Sequence, residues 1–503
     1  MMSRFFPLST VRAFSVGIIL HCGMFLCACT VGPNYRRPAA HLPANWDLQQ
    51  PWREGAPSDG LPKGEWWSVF HDDELSLLEQ RVLDANQTIK VSAARLEQTR
   101  ATAAIQIATL FPTVGFQPGV TPTLERQRLS GNRAANGAAI TGPVTQNSYT
   151  LPFTVSYELD LFGRRRRSIE SARASYQASA ADLQNVQLVL TAELAGDYFS
   201  LRQLDSEIAI LNRTVQALQK GFDLVTSRHE GGVASGLDVA QEETFLRSTQ
   251  TQATLRLQQR KQFEDAIAVL TGQPAPDFHF PAKELPAAEP PSLQPGLPSD
   301  LLERRPDIAE AERQMAATYA QIGVAQAAYY PSFQLFGGAG WQAADIAKLA
   351  NLSSIYWALG SNVAESIFTG GARRAQVQYA RAGYDASVAG YRGTVLNAFR
   401  EVQDNVTALE VLMQAQKSQQ FAVDAAQRAL SISTNRYQGG LVSYLEVVTA
   451  QQNLLNSQQQ LVAIQGQRLL ASVLLVKALG GGWDASSLAA IQVQSRKKDI
   501  VTP

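Results

Sequence analysis

The chain has 503 residues, with 44 basic and 44 acidic side chains and an ordinary hydrophobic share of 45%. Zero formal charge excludes the basic footprint of a nucleic-acid binder, so no nucleic acid is expected as a partner. The three cysteines, Cys22, Cys27 and Cys29, all lie at or before position 29, so a chain cut before Cys29 keeps one thiol and can form no internal disulfide.

Residues 1–28 read as a signal peptide: Arg4 and Arg12 flank or precede the apolar run Ala13–Leu26, which is too short to span a bilayer comfortably. Leu26-Cys27-Ala28-Cys29 places a small residue before a cysteine, as in a bacterial lipobox. Cys29 is therefore expected to carry covalent diacylglycerol and palmitate, the alternative being an ordinary signal peptide that happens to contain cysteines. Thr30 at the next position resembles lipoproteins sorted to the outer membrane. No other run of about eighteen apolar residues follows, so any crossing of a membrane by the mature chain falls to strands.

Residues 29–72 read as an extended arm that packs by Trp46, Trp52, Trp66 and Trp67. A first repeat is expected over 73–298. It opens with a helix from Asp73 to Thr109, stopped by Pro112. A strand pair follows at about 112–162. In its second strand Leu151, Phe153, Val155, Tyr157, Leu159 and Leu161 share one face, and Thr154, Ser156, Glu158 and Asp160 the other. Val114 and Phe116 face outward on the first strand, and Gly131 to Asn147 form the outer loop. A long helix over 168–228 contains no proline, and its Leu201, Leu204, Ile208, Leu211, Val215, Leu218, Phe222 and Val225 recur at coiled-coil spacing. Some sixty residues at about 1.5 Å each give roughly 90 Å, longer than a globular core explains. A glycine turn at 229–236, a return helix over 237–271 and a Pro-rich equatorial link over 272–298 complete the unit.

The same plan recurs over 299–483. A helix from Asp300 to Ala328 precedes a strand pair at about 331–368, a long helix over 371–437, a turn at 438–443 and a return helix over 444–479; 484–503 form a tail. RHEGGVASGLDV at Arg228–Val239 answers RYQGGLVSYLEV at Arg436–Val447, and in the same register Gly163 answers Gly371, Tyr176 Tyr384, Glu193 Glu401 and Leu246 Leu454. The second seam, Phe399, Val402, Val406, Leu409 and Met413, is diluted by Gln416 and Gln420. Away from the seams the helices are filled with Gln, Ala, Ser and Thr, as in a wall wetted on both sides. Four strands cannot close a barrel, since about eight are needed, and open edges are forbidden in lipid. Closure therefore needs several chains, and three would supply twelve strands.

Catalytic chemistry is not visible. Histidines at 21, 41, 71, 229 and 279 show no paired spacing for zinc or a triad, and Gly231–Gly236 lacks the Lys-Ser/Thr of a phosphate loop. Neither an enzyme nor a bound cofactor or metal is expected. Arg164, Arg165, Arg166 and Arg167 form the densest charge, placed where an outward-facing strand ends and a helix begins. They read as a membrane-interface anchor to lipid phosphate or to a carboxylate such as Asp160. Asp223 and Asp424, near the helix tips, are candidates for a carboxylate ring at a periplasmic constriction, with Arg428 as the i+4 partner of Asp424.

Taken together, Cys29-Thr-Val-Gly-Pro-Asn-Tyr-Arg-Arg-Pro38, Glu158-Leu-Asp-Leu-Phe-Gly163, Leu301-Leu-Glu-Arg-Arg-Pro-Asp307, both glycine tips and Leu479-Gly-Gly-Gly-Trp483 resemble the TolC-like outer membrane efflux proteins, in their NodT/OprM-type lipoprotein branch. The resemblance covers nearly the whole mature chain. It implies a mixed α+β membrane protein in which long helices form a trimeric α-barrel tunnel and four strands per chain join a shared 12-stranded outer-membrane β-barrel. It also implies a homotrimer anchored in outer-membrane lipid and extending into the periplasm, with a periplasmic adaptor and an inner-membrane pump of the RND type as partners. By that likeness Gly232, Val233 and Ser235, with Gly440, Leu441 and Ser443, are the adaptor-docking tips. Some relatives carry an acid immediately before the second tip, where this chain has Thr434 and Asn435.

The expected function is a passive exit duct for drugs or other toxic small molecules, driven by the pump. A duct for a protein-secretion exporter is the alternative within the class. A trimeric coiled-coil adhesin or spacer explains the seams but neither the duplication nor the amphipathic strands. A lipid-anchored hydrolase lacks a visible active site.

Overall fold

The structure, a computed structural model, describes residues 30–32, 34–38, 64–125, 144–285, 291 and 301–483. The signal peptide, Cys29, Trp46, Trp52, most of the first hairpin loop, residues 286–290 and 292–298 of the link, and the tail lie outside the described residues. The chain divides into two compact units.

The first unit (1–37, 98–176 and 314–388) carries the sheet. Its strands are β1 (Thr113–Phe116), β2 (Gly119–Glu125), β3 (Val144–Leu159), β4 (Ser332–Ala343) and β5 (Ile355–Ala364). Both β1 and β2 pair with β3, so the expected first strand is one strand interrupted at Gln117-Pro118. Pro118 has no N–H to give to a ladder. The order β1/β2–β3–β4–β5 is antiparallel throughout, and its two outer edges have no partner among the described residues.

Register keeps the two faces chemically separate. Phe153 lies opposite Phe116 and Ala339, and Val155 opposite Val114 and Gly337. Trp357 lies opposite Ala339, and Leu359 opposite Gly337. This apolar face is open to the surroundings: Trp357 is 77% and Leu359 81% exposed. The opposite face carries Thr154, Ser156, Gln334, Asn362 and several glycines, with Phe336 lying over Gly360.

The second unit (38–97, 177–313 and 389–503) is helical. Four helices belong partly to each unit, and the two longest are α3 (Arg164–Glu230) and α7 (Ala372–Gln438), both of 67 residues. The return helices α4 (Gly236–Leu270) and α8 (Tyr444–Ala478) both have 35 residues. Equal lengths in the two copies extend the duplication from sequence to backbone. On the first seam Leu201, Leu204, Leu211, Leu218 and Val225 are buried, with Ile208, Val215 and Phe222 half-buried. The second seam is tight at Val402, Val406 and Leu409 and ends there, because Met413 is 39% exposed. By length and composition α8 could cross a membrane, but more than half of its most apolar stretch is buried inside the protein. Its apolarity serves the core formed with Trp66, Trp67, Leu75, Val82 and Tyr198.

Two helices expected to be continuous are broken. The first splits into α1 (Asp73–Ala85) and α2 (Gln87–Ala108) at Asn86, and the other into α5 (Leu301–Arg304) and α6 (Pro306–Ala327) at Arg305. Asn86 is extended; its Oδ1 accepts from Thr88 N at 2.8 Å and Ile89 N at 3.2 Å, capping α2. Its Nδ2 donates to Leu270 O, the last carbonyl of α4, at 2.9 Å. Arg305 does the same in the second copy, donating to Ala478 O at the end of α8 at 2.9 Å while holding Asp307 and Glu401. Each break thus satisfies a C-terminal carbonyl of the return helix, a group the helix leaves orphaned.

The described part of the link is held by a buried polar network. Arg202 donates to Pro281 O and pairs with Asp205 at 3.0 Å; Arg260 pairs with Asp205 at 2.6 Å and donates to Phe280 O. Lys283 N and Leu285 N return donors to Asp205 and Ser206. Replacing Asn86 with Ala removes a cap and leaves Leu270 O unpaired; a loss of about 1–3 kcal/mol is expected, visible as a lowered thermal midpoint of the purified protein.

Candidate functional site

The tips are built by the chain's need to reverse between two long helices. Gly232 (φ 75°) and Gly440 (φ 72°) occupy the left-handed region, where a side chain is disfavoured although nothing crowds the position. Val233 N donates to Arg228 O at 2.8 Å and Leu441 N to Arg436 O at 2.9 Å, so both long helices end by the same backbone closure. Each return helix starts at a serine. Ser235 forms a capping box with Asp238, whereas Ser443 makes no side-chain cap and Glu446 instead pairs with Arg436 at 3.5 Å. His229 Nδ1 lies 2.8 Å from Ala234 O, a contact that holds a proton on Nδ1. Arg228 sits 5.0 Å over the ring of Tyr437, which meets Tyr444 edge-on at 4.9 Å, joining the two hairpins. The apolar side chains Val233, Leu237, Leu441 and Leu445 remain exposed.

Every arginine of the run is paired within the chain, four cations to the three acids Glu158, Asp160 and Glu170. Arg164 and Arg165 both pair with Glu158, Arg166 with Asp160, and Arg167 with Glu170 at 2.7 Å. Asp160 also accepts from the backbone N–H groups of Arg165 and Arg166 at 3.1 and 2.9 Å. An acid from outside thus supplies the charge that four cations at a helix start oppose. At the corresponding place in the second copy, Arg373 pairs with Glu365 at 2.7 Å.

Arg167 has a further role that its place in a charge run does not reveal. It is buried and donates to Gly32 O and Asn34 Oδ1, each at 3.0 Å. Val31 N donates to Phe162 O at 3.1 Å, Tyr35 packs edge-on against Tyr319, and Thr30 lies against Gly163. The arm just after Cys29 is thereby seated at the foot of β3.

Asp223 and Asp424 are exposed, and each accepts from a glutamine one turn earlier, Gln219 at 2.9 Å and Gln420 at 3.1 Å. Asp424 therefore takes its hydrogen bond from Gln420, and it forms no ion pair with Arg428 among the described residues. The amide reaches the carboxylate without the desolvation and ordering of a guanidinium.

Four acids stand out that sequence reading missed, and burial pushes the first of them, Glu79 on α1, well above the usual carboxylate range. Burial, with Asp182 and Asp307 nearby, pushes Glu310 up to about 7. Burial beside Glu193 pushes Asp197 up to about 6. Burial alone pushes Glu242, on α4, up to about 7. No periodic pattern marks them, because their environment is set by other helices. Among the described residues no cluster of three or more His, Cys, Asp or Glu side chains could hold a metal ion.

Long helices closed by glycine tips, a sheet with one apolar and one polar face, and a strand-to-helix junction of paired charges define an outer-membrane channel. The chain matches the family model "Outer membrane efflux protein" over residues 78–273 and 297–481. It belongs to that family and is an outer-membrane channel protein of an efflux system. Similar proteins include the probable efflux pump outer membrane protein TtgC of Pseudomonas putida, 33% identical over 91% of this chain and 93% of that protein. Outer membrane protein OprJ of Pseudomonas aeruginosa is 32% identical over 94% and 96%. Among solved structures, the outer-membrane channel OprN superposes with a TM-score of 0.83 at 28% identity, covering 90% of this chain and all of that one.

Gly440→Ala is expected to destabilise the second tip by about 1–2 kcal/mol, seen as faster backbone hydrogen exchange at Arg436–Leu445. Gly439→Ala, whose backbone is not left-handed and whose added Cβ meets only ordinary contacts, is expected to leave that exchange unchanged.

Proposed function

We propose that three copies of this chain form the exit duct of a tripartite efflux system, a 12-stranded barrel in the outer membrane continued by a helical tunnel into the periplasm. The observation that carries this reading is the sheet: four strand positions, two free edges and one apolar face. Backbone groups on a free edge cannot be left unpaired in lipid, so the edges of neighbouring copies must meet. The relatives include an antibiotic efflux pump protein and toluene efflux pump proteins, which supports small organic compounds as the cargo.

The tips, with Val233 and Leu441 exposed beside Gly232, Ser235, Gly440 and Ser443, are the docking points for a periplasmic adaptor, through which an inner-membrane pump of the RND type drives export. Cys29 carries the lipid, and the seating of Thr30 beside Gly163 would hold that anchor near the foot of β3. The arginines at 164–167 stand at the same level. Asp223 and Asp424 are candidates for the periplasmic constriction, with Gln219 and Gln420 as their immediate partners.

Duplication gives the edge pairing a register. Thr113 faces Ser156 in the first copy as Ser332 faces Ala364 in the second. Transferring the internal β3–β4 pairing, Leu159 opposite Phe333 and Phe153 opposite Ala339, to the joint between chains sets Ser361 opposite Val120 and, with β5 continued three residues past Ala364 on pairing, Ile367 opposite Val114. That register keeps the apolar faces on one side, whereas a slip of one residue would reverse one of them. Ile367 is 98% and Val114 71% exposed in the single chain, as side chains awaiting such a partner would be.

Cysteines at Ile367 and Val114 are expected to oxidise into a covalent trimer in outer-membrane vesicles, while Phe368→Cys with Val114→Cys is not. The same preparation should form pores in planar bilayers. Monomer alone after oxidation, together with no conductance, would remove the trimeric duct.

A further inference from the structure

Conduction through the channel gives no reason for Glu242. It lies on α4 above the first tip and is fully buried. Among the described residues neither of its oxygens makes a hydrogen bond of good geometry, and burial is opposed by no cation, only by the Tyr444 hydroxyl. Gly221 of α3 faces it: a Cβ there would come within 3.3 Å of the Glu242 carboxyl carbon and 3.1 Å of the Tyr444 hydroxyl. The surrounding apolar cluster contains Leu218, Val225, Leu246, Val447 and Val448. The titratable groups that reach the site are the Tyr444 phenol of α8 and, next to that phenol, Tyr437 of α7 and Asp238 of α4; α3 faces it with the uncharged Gly221.

The second copy shows that the fold does not need an acid here. Under the duplication Glu242 answers Ala450, and Gly221 answers Ala429. Ala450 is buried and apolar in the same position of its own hairpin. A carboxyl placed where the other copy packs an alanine destabilises the seam whenever it is charged, because a buried charge without a counter-charge is disfavoured.

We propose that Glu242 is a proton-sensitive latch of the first tip: the neutral acid lets α4 close against Gly221 and Tyr444, and loss of its proton drives that seam toward water. The hairpin then loosens as the surroundings become more alkaline, on one hairpin of each chain and not the other.

The sign follows from which form binds more protons. In the packed hairpin Glu242 titrates at about 7, above the roughly 4.3 of an exposed glutamate. The packed form therefore holds the extra proton. Its stability is complete below the exposed value, falls as pH rises toward about 7, and levels beyond it. Between pH 6 and pH 8 the opening constant should rise about tenfold.

The test is backbone hydrogen exchange of the full-length protein in lipid nanodiscs at pH 6 and pH 8, corrected for the intrinsic pH dependence of exchange, on peptides covering 218–246. The wild type is expected to show the tenfold rise there and not at 469–476 of α8. Glu242→Gln, which is isosteric and cannot ionise, is expected to show no rise. Should that variant fail to fold, Tyr444→Phe serves: removing the hydroxyl that favours the carboxylate should move the midpoint to higher pH. A flat wild type, an unchanged rise in Glu242→Gln, or a midpoint in Tyr444→Phe that stays or falls would each overturn the latch. Exchange reports the hairpin directly, so a failure of conductance would not imitate any of these outcomes.

Discussion

Everything in this protein follows from the accounting of backbone hydrogen bonds at a sheet whose surroundings cannot supply them. The sheet presents one apolar face, carrying Phe153, Val155, Trp357 and Leu359, and one polar face. A segment with that alternation is at home only between lipid and water, and there its edges must be closed. The two-faced alternation of the strands and the unbroken pairing of the inner ones answer that one constraint.

The helical unit solves the same accounting differently. Each 35-residue return helix ends with a carbonyl that receives a side-chain donor, Asn86 in one copy and Arg305 in the other. The two donors differ chemically but stand at equivalent breaks, so the architecture was kept while the residue changed. Around the link, Arg202, Asp205, Arg260 and Glu264 exchange charge-assisted bonds with backbone groups of residues 280–283. Buried ion pairs contribute little net stability, yet they fix where an irregular segment runs. The link is also held by packing, with Phe278 buried in the helical core and Phe280 and Leu285 against it.

Much of this was legible in the residues. The alternation of Leu151 to Leu159, the seam from Leu201 to Val225 and the repeated glycine turns are local patterns with periods of their own, and the structure reproduces them. The lapses are of another kind. The first strand breaks at Pro118, the helix expected from Asp73 breaks at Asn86, and Met413 lies beyond the end of its seam. The first of these is local, since Pro118 lacks the N–H a ladder needs; in the other two a partner distant in the chain, or its absence, decided the matter. Arg167 looked like one of four equivalent cations; only folding showed it clasping the arm at Gly32 and Asn34.

The sequence by itself determined the duplicated plan, the two-faced strands, the tips and the absence of a visible catalytic set, because periodicity, glycine turns and residue chemistry act over short distances. Tertiary structure alone decided which acids are drawn wholly or partly out of water. Glu242, Glu310 and Asp197 are ordinary carboxylates in the sequence and become perturbed ones only when other helices close over them. Desolvation depends on atoms brought from far along the chain, and no local pattern encodes it.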